Sequence, residues 1–441
     1  RLTLSAPVYS SVAIPNSPAG NAGTAAENKT MAEIERESME YEVVIVGEGP
    51  AGLSAAIRLK QLDADLSVVV LEKGSEVGAH ILSGAVLDPS GLDALLPDWR
   101  DRGAPINVPV TEDRFYMLGE AGSLRIPNIV MPPLMSNHGN YIVSMGNVCR
   151  WMAEQAEEMG VEIFPGMACS ELVYGENGEV KGVVAGEFGL NPDGTPSDAY
   201  EPGMELHGRY VFLGEGVRGS LSKQVIAKFD LDADAEPQKY GLGMKEIWEI
   251  DPEKHREGSV THTMGWPLGS NAGGGTYVYH LDNHQVYVGF VVHLNDANPH
   301  LFPYMEFQRF KHHPMIAELL KGGKRIAYGA RAITEGGWQS MPKAAFPGGA
   351  LLGCSVVVLG MVTGALVGLV SRQFVDATYW ATLISAFAMV SVAATPGLSV
   401  ELRLSWCAVG AASGAACAAV AGRRLILRVA LGAAVAGIVM G

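Results

Sequence analysis

Basic residues are in short supply here: 32 Lys and Arg stand against 47 Asp and Glu in 441 residues, a net charge of −15. No basic stripe exists to neutralise a run of phosphates, which argues against nucleic acid as a partner. Cysteine is sparse as well. Its five copies (Cys149, Cys169, Cys354, Cys407, Cys417) have no C-x-x-C spacing, so neither a disulfide framework nor a cysteine metal site is indicated, and a reducing compartment fits. The adjacent pair His312-His313 would point about 100° apart on a helix and could not readily share a metal; solvent-exposed helix positions are expected. No internal repeat is evident.

The informative stretch is EVVIVGEGPAG at 42–52, followed by VVVLEKG at 68–74. An apolar run ends in Gly47-x-Gly49-x-x-Gly52, a helical pattern follows, and a second apolar run ends in Glu72, about 20 residues past the last glycine. This is the pattern of a strand–turn–helix–strand unit for an adenine dinucleotide. Gly47 permits a sharp turn, Gly49 lets the backbone approach a pyrophosphate, and Gly52 lets helix and strand pack closely. The helix start at Pro50-Ala51 supplies N–H groups and positive dipole, and Glu72 accepts the ribose hydroxyls.

NAD and FAD enzymes share that unit. Beyond Glu72, residues Lys73 to Gly84 (KGSEVGAHILSG) resemble the flavoprotein continuation that runs past the flavin. A further apolar run, Tyr210–Leu213, leads into Gly214-Glu-Gly216-Val-Arg218-Gly219-Ser220, which resembles the second flavin-binding turn of glutathione-reductase-type FAD proteins. Two such segments about 165 residues apart favour FAD, with a coincidental turn as the alternative. Between them, 146–159 has the spacing of an amphipathic helix, 160–165 reads as a strand, and 171–186 as a hairpin turning near Asn177-Gly178. Alternating aromatic runs at 276–279 and 285–292 suggest an antiparallel sheet in a substrate domain.

The blocks GAHILSGAVLDP (78–89), GNYIVSMGNVCRWMAEQAEEMGVEIFPG (139–166), GLGMKEIWEIDPEKH (241–255), EFQRFKHHP (306–314) and KRIAYGARAITEGGWQSMPKAAFPGGALLGCS (324–355) resemble the electron transfer flavoprotein–ubiquinone oxidoreductase family. The resemblance covers about 41–355. It implies an FAD enzyme that takes electrons from electron transfer flavoprotein, reduces ubiquinone at a membrane, and carries a [4Fe–4S] cluster. It places Gly84, Gly216, Arg218, Gly219, Arg331, Gly348 and Gly349 near the flavin, and the quinone on the backbone of Gly274-Gly275, where a flexible hairpin turn is the plain alternative. His80, inside the flavin block, suits packing or hydrogen bonding better than proton transfer. No general acid or base is nominated.

The expected fold is α/β: a glutathione-reductase-type FAD-binding domain (41–125, 138–235, 325–355) with an inserted α+β quinone domain (236–324). Residues 126–137 form an apolar, proline-broken loop that either dips into a membrane or covers the core. Residues 1–40 are a disordered or transit-like extension.

After Ser355 the resemblance stops. Residues 356–441 carry five basic and two acidic side chains, about +3 against about −18 for the rest, and no cluster cysteines can be assigned. Gly349–Val370 is 22 residues without a charge, enough to span about 30 Å, and further apolar runs follow at 379–400, 404–422 and 425–441. The tail reads either as a membrane anchor or as an aberrant C-terminus replacing a native one. Two other functional readings stand: a catalytically silent flavoprotein-like membrane scaffold, and a related flavin reductase or monooxygenase. The mitochondrial inner membrane, matrix side, is the expected location, with a bacterial cytoplasmic membrane as the alternative.

Overall fold

The computed structural model describes residues 36–355, apart from 82–83, 132–134, 194 and 270–271. The expectations for residues 1–35 and for the tail beyond 355 lie outside the described residues; Glu37 to Glu40, expected in the disordered extension, instead open a strand paired with Met204 to His207.

The first layer is an eight-stranded sheet. Its centre is β1 (Glu37–Val46), flanked in parallel by β2 (Val68–Glu72) and β13 (Met204–Leu213). On one side β8 (Glu162–Pro165) extends it beyond β2; on the other β20 (Gly349–Leu351), paired with β19 (Ala345–Phe346), runs parallel to β13. The antiparallel pair β9 (Cys169–Tyr174) and β10 (Val180–Ala185) joins β13 and turns at Gly178, φ +81°, as the Asn177-Gly178 signal predicts. Val43 to Val46 and Val68 to Leu71 are buried on both faces, as central parallel strands require. α1 (Pro50–Leu62) and α3 (Met145–Glu158) cover one face. Ser144 caps α3 by accepting from the Asn147 amide at 3.4 Å, and Val148, Cys149, Met152 and Ala156 bury the stripe expected of this amphipathic sequence. α4 (Ser220–Lys228) packs on the opposite side, and α2 (Ser90–Leu95) joins the α1 cluster.

The second layer is a seven-stranded sheet in the order β18 (Lys324–Thr334), β14 (Tyr240–Glu249), β17 (Gln285–His293), β16 (Gly274–His280), β15 (Ser259–Gly265), β5 (Glu112–Leu118), β6 (Ser123–Ile126). α5 (Pro303–Lys311) and α6 (Pro314–Leu320) close one face through Phe307, Phe310 and Ile316 against Val286, Val288 and Phe290. A three-stranded sheet, β3 (Ala85–Leu87), β7 (Tyr141–Val143) and β4 (Val108–Pro109), packs against the other face. β11 (Phe188–Leu190) and β12 (Pro196–Glu201) form a separate hairpin.

Three expectations change. The second sheet draws on residues outside 236–324, because β15 offers its free edge to β5 in parallel and β14 pairs with the whole of β18. Of the histidine pair only His312 is exposed: α5 stops at Lys311, Pro314 starts α6, and His313, 2% exposed, caps α6 by accepting from the Met315 amide. No membrane helix starts at Gly349, since 349–351 form β20 and Gly353–Ser355 a 3-10 turn.

Candidate functional site

Val46, Leu71 and Leu213 end side by side at the carboxyl edge of the first sheet. There the chain turns at Gly47, whose amide donates to the Leu71 carbonyl at 2.8 Å. Gly47 has φ +101°, and a Cβ there would overlap the Gly214 carbonyl oxygen, so only glycine fits. A Cβ on Gly52 would overlap the Gly47 carbonyl oxygen. Gly49, the N-cap of α1 with Pro50 at the first helical position, meets nothing within 4 Å. The turn thus packs tightly at its two flanking glycines and leaves open space before the helix N-terminus. That is a cradle for a diphosphate.

The other segments converge on the same edge. The Gly214 amide donates to the Val46 carbonyl at 2.7 Å, placing the second glycine turn against the first. Glu215 spans this turn, accepting from the Leu221 amide (3.2 Å) and from the amide and hydroxyl of Ser222 (both 2.7 Å). Gly219 caps α4 in a space filled by the Glu215 side chain, Gly216 has φ +81°, and the Arg218 guanidinium lies 5.2 Å from the Tyr240 ring centroid. Gly348, φ +90°, lies in the turn between β19 and β20 and Gly349 opens β20; Cβ atoms there would overlap the carbonyl oxygens of Val180 and Val211. Gly353, which the sequence does not single out, reaches the helix: a Cβ there would lie 2.7 Å from that of Ala51.

Glu72 accepts from the Glu48 amide at 3.2 Å and the Gly74 amide at 2.8 Å, with His80 Nδ1 3.7 Å away. Lys73 and His80 are exposed. Glu48, between the first two glycines, is the surprise. It is 1% exposed, neither carboxyl oxygen has a hydrogen-bond partner, and burial, then the charges of Glu72 and Glu157, push it up to about 8. A glycine search passes over such a residue; only its identity as an acid inside a buried turn signals it.

Two cations tie the first layer to the second. Arg331 donates to the His80 carbonyl, and Lys245 Nζ donates to the Gly84 carbonyl at 3.2 Å. Burial, then Arg331, lowers the Lys245 pKa. Gly84, φ +136°, is where the Tyr287 ring presses against the backbone. In register, Arg331 pairs with Gly243 and Lys245 with Gly289, so both cations rise from the sheet face turned away from α5 and α6.

Along that face Gly275 pairs with Val291, Tyr277 with Gly289, and His262 with Tyr277. Gly274 and Gly275 are therefore the first residues of β16, not a hairpin turn, and Gly274 has φ +140° with no room for a Cβ beside the Val291 carbonyl. The face ends at Met264 paired with Met117, which pairs in turn with Leu124. Leu124 is 68% exposed on this apolar lip, and Ile129, in the loop that follows β6, is 94% exposed. Missed from sequence were Lys245 and the contact of His262 Nε2 with Tyr279 Oη at 2.8 Å, though strand alternation puts each on this face.

Fold and site together define an α/β flavoprotein with an FAD-binding Rossmann-like fold. Residues 45–106 match the NAD(P)-binding Rossmann-like domain family. A geranylgeranyl bacteriochlorophyll reductase-like protein from Thermoplasma acidophilum shares the fold at 16% identity and TM-score 0.53, over 76% of this chain and 79% of that one. So does a flavoprotein/dehydrogenase from Cytophaga hutchinsonii, at 15% and 0.51, over 79% and 85%. Residues 240–333 match the family described as ETF-QO, ubiquinone-binding. Electron transfer flavoprotein-ubiquinone oxidoreductase of Pseudomonas aeruginosa is 56% identical over 332 residues, 74% of this chain and 60% of the relative. The mitochondrial protein of that name from Sus scrofa is 53% identical over 329 residues, 73% and 53%. Over about three quarters of its length the chain is similar to the electron transfer flavoprotein–ubiquinone oxidoreductases, and it spans 53% to 60% of the length of these two relatives.

Proposed function

We propose that the chain binds FAD and passes electrons from reduced electron transfer flavoprotein to ubiquinone at a membrane surface. The observation that carries this reading is the double tie of Arg331 to His80 and Lys245 to Gly84. It joins the segment leaving the ribose acid to the sheet face that bears Gly274-Gly275. A cofactor laid from the α1 N-terminus past Glu72 along residues 73–84 would bring its redox-active end to that junction.

The residues present fit FAD: an open cradle at Gly49, walls that only Gly47 and Gly52 allow, and a carboxylate at the end of β2. When bound, FAD supplies the capacity to accept and release electrons. The protein positions and shields. Pro50, Ala51 and Gly52 aim the helix start at the diphosphate, Glu72 holds the ribose, and Lys73, Gly84, Gly216, Arg218, Gly219, Gly348 and Gly349 build the surrounding edge. Lys245 and Arg331 would hold positive charge beside a flavin seated at that junction and so would favour its reduced, anionic form. The quinone ring lies flat on the main chain of Gly274-Gly275, entering over Met264, Met117 and Leu124.

The same lip suits insertion into lipid. Among the described residues no helix is long and apolar enough to cross a membrane. Nor, among the described residues, does any group of three His, Cys, Asp or Glu fit a metal ion, and no step is assigned to the [4Fe–4S] cluster that the family resemblance implies. The expected location is the mitochondrial inner membrane or a bacterial cytoplasmic membrane, which relatives named as mitochondrial and a bacterial relative support as far as the compartment.

Purified full-length protein tests this. A yellow flavin spectrum that bleaches with reduced electron transfer flavoprotein and recovers on adding a short-chain ubiquinone is expected. Folded but colourless protein would favour a silent scaffold, and bleaching by a reduced nicotinamide alone would favour a flavin reductase.

A further inference from the structure

We propose that His262, held by Tyr279, gives a proton to a quinone oxygen during reduction, a role that rests on the quinone reading above. His262 shares the sheet face of Gly275 and lies one register pair from it, opposite Tyr277. Diagonal neighbours on such a face are about 7–8 Å apart at Cα, within reach of an imidazole for a ring lying on the Gly275 backbone. Two residues on, Met264 forms the lip, so His262 stands on the inner side of the entrance.

Its orientation is fixed from below. Nε2 meets Tyr279 Oη at 2.8 Å with the rings edge-on, 5.4 Å between centroids. Tyr279 stacks on Tyr277 at 4.4 Å, and Tyr277 occupies the space that Gly289 leaves by having no side chain. That stack directs Nδ1 away from the tyrosines.

Burial lowers the His262 pKa, and the Asp113 carboxylate, in the next register pair, opposes the shift. Asp113 is itself occupied, accepting from the amide and side chain of Asn137 at 3.0 and 2.9 Å. A ring poised this way is neutral at pH 7 and takes a proton when negative charge appears beside it. A quinone receiving electrons supplies that charge.

The balance closes. Ubiquinone becomes ubiquinol by gaining two electrons and two protons. Reduced flavin in its singly protonated form supplies both electrons and one proton. The second comes from His262: the ring takes up a proton from water as negative charge builds on the quinone, and the imidazolium so formed passes it on, an N–H bond breaking as an O–H bond forms and the neutral imidazole being restored.

Ferricenium, which accepts an electron and no proton, separates this role from a structural one. Full-length, flavin-loaded protein is photoreduced and mixed rapidly with either ferricenium or a short-chain ubiquinone. His262→Asn should slow reoxidation by quinone about 100-fold and leave ferricenium unaffected. Tyr279→Phe should shift the pH profile of the quinone rate alone. Equal slowing with both acceptors, or no slowing, overturns the proposal. Wild type reoxidised by ferricenium but not by quinone sinks the quinone reading and the proposal with it. If the chain takes up no flavin, tryptophan quenching by the same ubiquinone decides: His262→Phe should weaken binding several-fold, and unchanged binding overturns the assignment.

Discussion

Glu48→Gln probes the electrostatics of the fingerprint turn directly. In the folded protein Glu48 is raised from 4.5 to about 8, by burial first and then by Glu72 and Glu157. In the unfolded chain it titrates near 4.5. Between those values the folded protein holds a proton that the unfolded chain releases. Stability from this group is therefore fully present below about pH 4.5 and is lost progressively as pH rises to about 8. A shift of roughly 3.5 units at 1.36 kcal/mol each makes that loss about 5 kcal/mol, comparable to the net stability of a whole domain. Urea unfolding of the full-length chain, followed by circular dichroism at pH 5, 6.5, 8 and 9, measures it. Gln leaves a buried amide unpaired, so the variant should start about 1–3 kcal/mol less stable at pH 5. It should then lack the wild-type decline and overtake the wild type by pH 8. Parallel pH profiles for the two proteins would refute the assignment of a buried, neutral carboxyl at this position.

Gly52→Ala drives a methyl group into the Gly47 carbonyl and should cost about 1–3 kcal/mol while abolishing FAD uptake, read by bound flavin absorbance. Glu246, 2% exposed, accepts from Lys311 at 2.8 Å and Arg325 at 3.1 Å; Glu246→Ala strands the largely buried Lys311 and should lower stability by about 3–5 kcal/mol in urea titrations. Ile129→Glu, on a 94% exposed apolar side chain of the 126–137 loop, should remove binding to phosphatidylcholine vesicles in flotation assays while leaving the melting temperature unchanged.

The first sheet was legible because its signals are steric and local. Gly47 turns with positive φ, Gly52 admits a helix against a carbonyl, and Gly178 closes a hairpin, each demand readable as a glycine at a fixed offset. The composition of the second sheet was not. Glu112 pairs with Ser259 across 147 positions in a parallel ladder, and no local pattern announces a partner so distant. His313 was misplaced for a subtler reason. An adjacent histidine pair looks like one helix surface, yet Pro314 starts a new helix, and the residue before such a proline is an N-cap held in extended backbone and here buried.

Chemistry at the site divides along the same line. The dinucleotide cradle depends on glycines, which declare themselves by absence of a side chain. The quinone face depends on register. Alternation alone puts Gly275, Tyr277 and Tyr279 on one side of β16, and His262 and Met264 on one side of β15. Only the pairing of His262 with Tyr277 makes them a single surface and lets His262 reach Tyr279 rather than solvent. A slip of one residue would turn His262 and Met264 toward the α5 and α6 core, which would then have to bury them among Phe290 and Phe307. The apolar packing on one side of this sheet thus fixes the polar site on the other.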